Sequence, residues 1–380
     1  MGGIATDANN NVYITGTFRG TVDFDFSAAT DSRTSLGGSD IFLMKINSDG
    51  SYAWTKVWGY GSNELYSNLA VDKVNGAVYV VGSLATVSID LDPGEGTDIE
   101  SKNGLFISKF DLNGNYLWGN AYGLPVSGNV FVEVEPTSGE VYFGTNYYNA
   151  TVDFDPGAGT DNITVGASSS DKSGFVSILS SVNEYVDTFL LSKIMVNDIE
   201  FDSNGNLFLA GDFSGSLNLN PMGGVDTLTS AGGSDAFLSR WNADNSYAWT
   251  KQFGGTINDN GLALSVDTNN NVYLGGNLLS EESVDFDYSG GSDIHSNPAG
   301  QQSAFITIVR NDGSYVKTTS WGCNSIGIYG YGLTNIQDIN VDSQGRVYAY
   351  GWNYGDTDFD PSSGIYTQKG YYNYASYISV

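Results

Sequence analysis

The chain of 380 residues carries 43 Asp and Glu against 15 Lys and Arg, a formal charge of −28, and this field repels nucleic acid and anionic lipid while attracting cations. Its one cysteine, Cys323, excludes an internal disulfide and a zinc cluster, and no apolar run reaches the roughly 18 residues of a membrane-spanning helix. The opening stretch MGGIATDANN lacks the basic and apolar segments of a signal peptide, so export would be directed by sequence elsewhere.

A β-branched residue or Leu followed by an aromatic recurs at Val12-Tyr13, Val78-Tyr79, Val141-Tyr142, Leu207-Phe208, Val272-Tyr273 and Val347-Tyr348, each after a turn such as DANNN or DSNGN. Successive aromatics lie 66, 63, 66, 65 and 75 residues apart, which makes six copies of one unit. A first strand reads NLAVD (68–72), DIEFD (198–202), ALSVD (263–267) or DINVD (338–342). The second reads VYITG (12–16), VYVVG (78–82), LFLAG (207–211) or VYLGG (272–276), after a tight Asn/Gly turn. An acidic element follows. A third strand then appears in DIFLMKI (40–46), GLFISKF (104–110) and DAFLSRW (235–241), and a fourth in SYAWTKVWG (51–59), NYLWGNAYG (115–123) and SYAWTKQFG (246–254).

Period-two patterning and hairpin turns at each step predict an all-β chain, a six-bladed β-propeller of four-stranded antiparallel blades forming one domain over 1–380. The repeats run approximately 1–61, 62–124, 125–192, 193–255, 256–323 and 324–380. Val380 aligns with Lys45, Lys109 and Arg240 of the third strand, so the last blade is expected to lack its fourth strand. Such an edge invites pairing, and either a longer parent protein or a neighbouring subunit would complete it.

The unit D-N/G-N-V-Y-x-x-G, D-x-F-x-x-K, D-G-S-Y-x-W-x-K-x-x-G-G resembles the bacterial SBBP-type β-propeller repeat. VDFDPG followed by SAGGSDAF is similar to tandem repeats of large secreted proteins of the Bacteroidota. The likeness covers nearly all of the chain and implies a module of a secreted or surface protein with no assigned reaction. Export of such proteins through a type IX C-terminal signal is implied as well, and no such signal is visible in the sequence. The third repeat departs from the pattern with Asp187 where others have Trp54, Trp118 and Trp249, and the fifth has Lys317 there.

Within the acidic element, residues i and i+2 share a strand face, so Asp153 and Asp155 point the same way. The pair recurs as Asp23/Asp25, Asp90/Asp92, Asp285/Asp287 and Asp358/Asp360, and as Asn218/Asn220 in the fourth repeat. A third acid stands six residues beyond the second at Asp31, Asp98, Asp161, Asp226 and Asp293, whereas the last repeat has Tyr366. Three carboxylates around a Pro-Gly or Gly-rich turn suit a hard cation, and calcium (Ca2+) is the expected ligand, without the EF-hand spacing. The alternative is an Asx turn, in which Asp and Asn accept backbone N–H bonds and Gly supplies positive φ. That account explains Asp-Pro-Gly but offers no reason for the first and third acids.

His295 has no evident partner, and no Ser-His-Asp order, phosphate loop or basic aromatic patch is present. Cys323 reads as a packed small residue. Acid pairs can serve glycosidases, but repetition in every unit argues against a single active centre. The aromatics Tyr52, Trp54, Trp58, Tyr116, Trp118, Tyr247, Trp249 and Trp321 suit sheet-to-sheet packing or sugar stacking. Asn68, Asp198 and Asp338 stand at equivalent first-strand positions, where a polar funnel could form. The expectation is a non-enzymatic, extracellular or cell-surface structural or adhesive module, calcium-stabilised, with a protein or glycan partner or self-assembly and no membrane insertion. A carbohydrate-binding module is the alternative. A polysaccharide-degrading enzyme would need a lone asymmetric acid pair.

Overall fold

Period-two runs punctuated by Asn, Asp and Gly turns leave the chain little choice but antiparallel strands. A computed structural model describes residues 2–59, 61, 63–85, 88–126, 128–148, 150–165, 172–220, 224–279, 283–296, 301–323, 332–359, 367–368 and 375–379, and no helix occurs among the described residues. The chain forms two compact units, Met1–Ser192 and Lys193–Val380, and their boundary falls between the third and fourth predicted repeats.

In the first unit, β1 (Ile4–Thr6), β2 (Val12–Asp23), β3 (Ser32–Ile46) and β4 (Tyr52–Trp58) pair in sequence order as one antiparallel sheet. The second repeat gives β5 (Ser67–Asp72), β6 (Ala77–Leu84), β7 (Ile89–Asp90), β8 (Ile99–Glu100), β9 (Gly104–Asp111) and β10 (Tyr116–Ala121). Here β5-β6-β9-β10 is the sheet and β7-β8 a separate two-stranded ribbon. The third repeats this with β11 (Val130–Val134), β12 (Val141–Tyr148), β13 (Ala150–Asp153), β14 (Asn162–Val165), β15 (Lys172–Leu179) and β16 (Tyr185–Leu191), the ribbon being β13-β14.

The second unit opens with the sheet β17 (Ile194–Phe201), β18 (Leu207–Asn218), β19 (Thr227–Trp241) and β20 (Tyr247–Phe253). Next come β21 (Asp259–Val266), β22 (Val272–Leu278), β23 (Ser283–Asp285), β24 (Ile294–Ser296), β25 (Gln301–Val309) and β26 (Tyr315–Cys323), with β23-β24 as the ribbon. The last repeat supplies β27 (Gly332–Val341), β28 (Val347–Tyr354), β29 (Thr357–Asp358), β30 (Thr367–Gln368) and β31 (Ala375–Ser379). Among the described residues its sheet is the three strands β27-β28-β31. Two bridges join the last two sheets: β25 runs parallel to β27 at Gln301 and Gln302, and β26 pairs with β29 at Gly322 and Cys323.

Sheets of four antiparallel strands in the first five repeats make the fold β-propeller-like. In the first and fourth repeats the ribbon is the outer part of the long pairs β2-β3 and β18-β19. The register shifts between Arg19 and Thr21 and between Ser214 and Ser216, where Gly20 (φ 74) and Gly215 (φ 77) adopt the left-handed backbone that a bulge requires.

The strands β6, β12 and β22 are buried along nearly their whole length, because their sheets bury both faces. Side chains alternate between neighbours: Val78 and Val80 pack with Leu43 and Trp58 of the preceding sheet, while Tyr79 and Val81 pack with Val132 and Phe143 of the following one. The second unit does the same, with Phe253 against Leu274 and Phe305, and Tyr273 against Ile336 and Ile339.

The fourth-strand Trp and the third-strand Lys clamp the next sheet. Trp54 lies edge-on to Tyr13 at 6.1 Å and against Gly114 in the following repeat, whose neighbouring Leu112 carbonyl accepts from Lys45 Nζ at 2.9 Å. Trp249 meets Phe208 at 6.2 Å and donates through Nε1 to the Asn311 carbonyl at 3.2 Å. Asp187 and Lys317, which replace this Trp, are exposed. Trp249→Ala is therefore expected to cost about 2–3 kcal/mol in urea unfolding, and Lys317→Ala less than about 0.5 kcal/mol. Equal losses at the two positions would dispose of the clamp.

Candidate functional site

Each acid cluster occupies the tip of a ribbon. The residue between its first two acids, Phe24, Leu91, Phe154, Leu219 or Phe286, is buried, so the acids on either side emerge on the opposite face. The N–H of that buried residue donates to the carbonyl of the third acid, as from Phe154 to Asp161 at 3.0 Å, and closes the loop.

In the third repeat, Asp153 Oδ1 accepts from the N–H groups of Asp155 at 3.2 Å and Asp161 at 2.8 Å. The same two bonds recur at Asp23, Asp90 and Asp285. Asn218 makes them with its amide oxygen and adds a bond from Nδ2 to the Gly224 carbonyl at 2.7 Å. Asp155 Oδ1 accepts from the Gly157 N–H at 2.7 Å, and Asp25, Asp92 and Asp287 accept likewise from Ser27, Gly94 and Ser289. The other oxygen of Asp155 folds over Gly159, where a Cβ would lie only 1.9 Å away. Gly96, Gly224 and Gly291 sit in the same place under Asp92, Asn220 and Asp287.

The third acid accepts a hydrogen bond from the first tyrosine of the fourth strand: Tyr52 to Asp31, Tyr116 to Asp98, Tyr185 to Asp161, Tyr247 to Asp226 and Tyr315 to Asp293. The two acids that the Asx-turn account left without a reason thus have one each. The first holds two backbone N–H groups, and the third pins the ribbon to the fourth strand. In the sixth repeat Asp358 pairs with Thr367 across β29-β30, while Asp360 and Tyr366 lie outside the described residues.

Burial and the carboxylate partner both keep these phenols protonated. The Tyr52 hydroxyl is pushed up to about 12, and those of Tyr116, Tyr185, Tyr247 and Tyr315 are raised for the same two reasons. Burial alone would raise the Asp293 carboxyl, but bonds from Tyr315, the Thr318 N–H and His295 outweigh it and lower it.

Calcium takes six to eight oxygens converging on one point. Here the carboxylates turn toward N–H groups, glycine backbone and tyrosine hydroxyls, and among the described residues no three His, Cys, Asp or Glu side chains are grouped to hold a metal ion.

The aromatic series is spent on packing. Tyr52, Tyr116 and Tyr247 bond the acids, Trp58 and Trp321 are buried, and Trp118 stands edge-on to Tyr79 at 5.9 Å. Asn68 donates to the Val130 carbonyl at 3.3 Å, and Asp198 accepts from the Leu264 N–H at 2.7 Å, so both tie a sheet to its successor; Asp338 occupies the corresponding place on β27.

His295 does have partners. Its Nδ1 lies 2.7 Å from Ser320 Oγ and its Nε2 3.2 Å from Asp293 Oδ1. Only the i, i+2 spacing of Asp293 and His295 on one ribbon face hinted at this, because Ser320 arrives through sheet pairing. In serine hydrolases Nε2 faces the nucleophile and Nδ1 the acid, the reverse of this arrangement, and the contact works as a clasp between β24 and β26.

No family model and no curated protein matches the chain. Among solved structures it is similar to the Dos1 propeller, with 9% identity, TM-score 0.42, and coverage of 91% of this chain and 63% of that one. It is also similar to Porphyromonas gingivalis dipeptidyl peptidase 4 (9% identity, TM-score 0.33, 93% and 57% covered) and to puromycin hydrolase (9%, 0.31, 94% and 58%). The chain spans about three fifths of the length of these structures.

If the first acid serves as an oxygen acceptor, Asp153→Asn should change stability by less than about 0.5 kcal/mol while Asp153→Ala costs about 1–2 kcal/mol; equal losses on urea unfolding would count against it. The tyrosines give a second readout. Unfolded phenols release their protons near pH 10 and the native ones higher, so stability must fall as pH rises through about 10 to 12. Phenolate absorbance should then rise together with loss of the fold, and early phenolate formation in a still-folded chain would contradict the pairing.

Proposed function

We propose that the chain is a non-enzymatic, extracellular structural or adhesive module whose six repeats make a six-bladed β-propeller over 1–380. One observation carries the reading: ribbon tips that satisfy their own polar groups also expose an apolar side chain beside the acids. Phe26 is 60% exposed, Ile99 58%, Val225 88% and Ile294 60%, each next to the second or third acid of its ribbon. Acidic loops with apolar tips suit a partner that is basic and partly apolar, by charge complementarity at the rim and burial at the centre. Such chemistry is spread over both units rather than gathered in one cleft, which favours multivalent contact over turnover.

Replacing all four tips, Phe26→Ser, Ile99→Ser, Val225→Ser and Ile294→Ser, should leave the melting midpoint within about 2 °C while abolishing adsorption to a sensor coated with a basic, aliphatic amine at high salt, where charge attraction is screened. Unchanged adsorption would reject the tips as the contact. The wild-type chain should also resist labelling by a fluorophosphonate, and labelling lost in Ser320→Ala would turn the His295 clasp into a reactive site. Because the loops are closed by protein donors, melting in millimolar calcium and in EDTA at matched ionic strength should agree within about 1 °C. A rise specific to calcium would restore the cation to the loops.

A further inference from the structure

A second set of acids lies inside the sheets. Asp235 on β19 and Asp259 at the start of β21 are both fully buried, at 0% exposure. Asp235 Oδ2 accepts from the Ala231 N–H at 3.0 Å and from Gln252 Nε2 at 2.6 Å. Its Oδ1 has no hydrogen-bond partner among the described residues. Asp259 accepts from the Gly255 N–H at 2.7 Å and the Leu279 N–H at 3.0 Å. The dipeptide Gly254-Gly255 touches both: a Cβ on Gly254 would lie 2.6 Å from the Asp235 carboxyl carbon, and Gly255 is the donor to Asp259.

The groups facing this pair are neutral or acidic. From β20 comes Gln252, whose second N–H is spent on the Thr229 carbonyl at 2.8 Å. Lys251, its neighbour, points away, over the rings of Trp249 and Tyr288. Before β21 stands Asn258, which accepts from the Ser234 N–H at 2.9 Å. Neither carboxylate has a salt bridge among the described residues. Two buried anions without a cation are costly, and a proton on either removes its share of that cost.

The arrangement is duplicated in the first unit. Asp40 on β3, 1% exposed, accepts from the Leu36 N–H at 2.9 Å, has a bare Oδ1, and lies against Gly59, where a Cβ would come within 2.5 Å of it. Glu64, fully buried, follows Asp40 at the same interval of 24 residues that separates Asp259 from Asp235.

We propose that Asp235 and Asp259 form a proton-binding site, at least one of them holding a proton at the contact between β19 and β21 under conditions that leave the surface acids ionised. Burial and, for Asp259, the neighbouring Asp235 charge push both carboxyls up, in keeping with the geometry. The sign follows. A carboxyl raised in the native state binds its proton where the unfolded chain has lost it, so the contribution is present at the acid end and is lost as pH rises through the native value. The contact therefore weakens on alkalinisation, opposite to the usual behaviour of a paired surface acid.

The test is thermal melting between about pH 5 and about pH 8 for the wild type, Asp235→Asn, Asp259→Asn and the exposed control Asp187→Asn, read with infrared difference spectra at the acid end. The expected result is a fall of the wild-type midpoint with pH that is smaller by about 2 °C or more in Asp235→Asn but not in the control, together with a protonated-carboxyl band in the wild type that Asp235→Asn or Asp259→Asn removes. If one variant fails to fold, the other and the band decide. Absence of the band, or an unaltered pH slope in both variants, overturns the proposal. So does a rise in the wild-type midpoint with millimolar calcium or magnesium that Asp235→Asn abolishes, which would make the occupant a cation.

Discussion

A single oxygen atom closes each ribbon. Oδ1 of the first acid gathers two N–H groups six residues apart, that of the residue two ahead and that of the third acid, and so converts a flexible Gly-rich stretch into a loop of one shape. The buried residue beside it fixes the ribbon to the sheet below, and the third acid reaches the fourth strand through tyrosine. Loop, ribbon and sheet thus constrain one another, and a hydrogen bond of this kind contributes about 0.5–1.5 kcal/mol. Recurrence in five repeats makes it the shared fastening of both units.

The strands and their order were legible because period-two burial and the aromatic after each turn are local properties. Val78-Tyr79 announces a buried central strand without any knowledge of its neighbours, and the structure places β6 there. The ribbons were legible as acid pairs but not as separate elements, since a two-residue strand such as β7 has no period to detect. What sequence reasoning missed is uniformly long-range. Tyr52 and Asp31 are each conspicuous, yet nothing local says that the hydroxyl of one meets the carboxylate of the other. The same holds for Ser320 with His295, and for Asp235, whose neighbour across the contact comes from another strand.

The acids thereby separate into two populations with opposite physics. Those at the ribbon tips are bonded to N–H and O–H donors. Asp235 and Asp259 are instead fully buried without a salt bridge among the described residues, and Gln252 in the adjoining strand supplies Asp235 only a neutral donor. Composition counts both kinds alike toward −28. Their surroundings, not their number, decide which of them hold a proton.

Asn218 and Asn220 show that a ribbon keeps its form when amides replace the first two carboxylates. Architecture and electric charge are consequently independent variables in this polymer. Each tip could exchange anions for amides, or the reverse, and retune solubility and colloidal repulsion while the backbone beneath remained as it was.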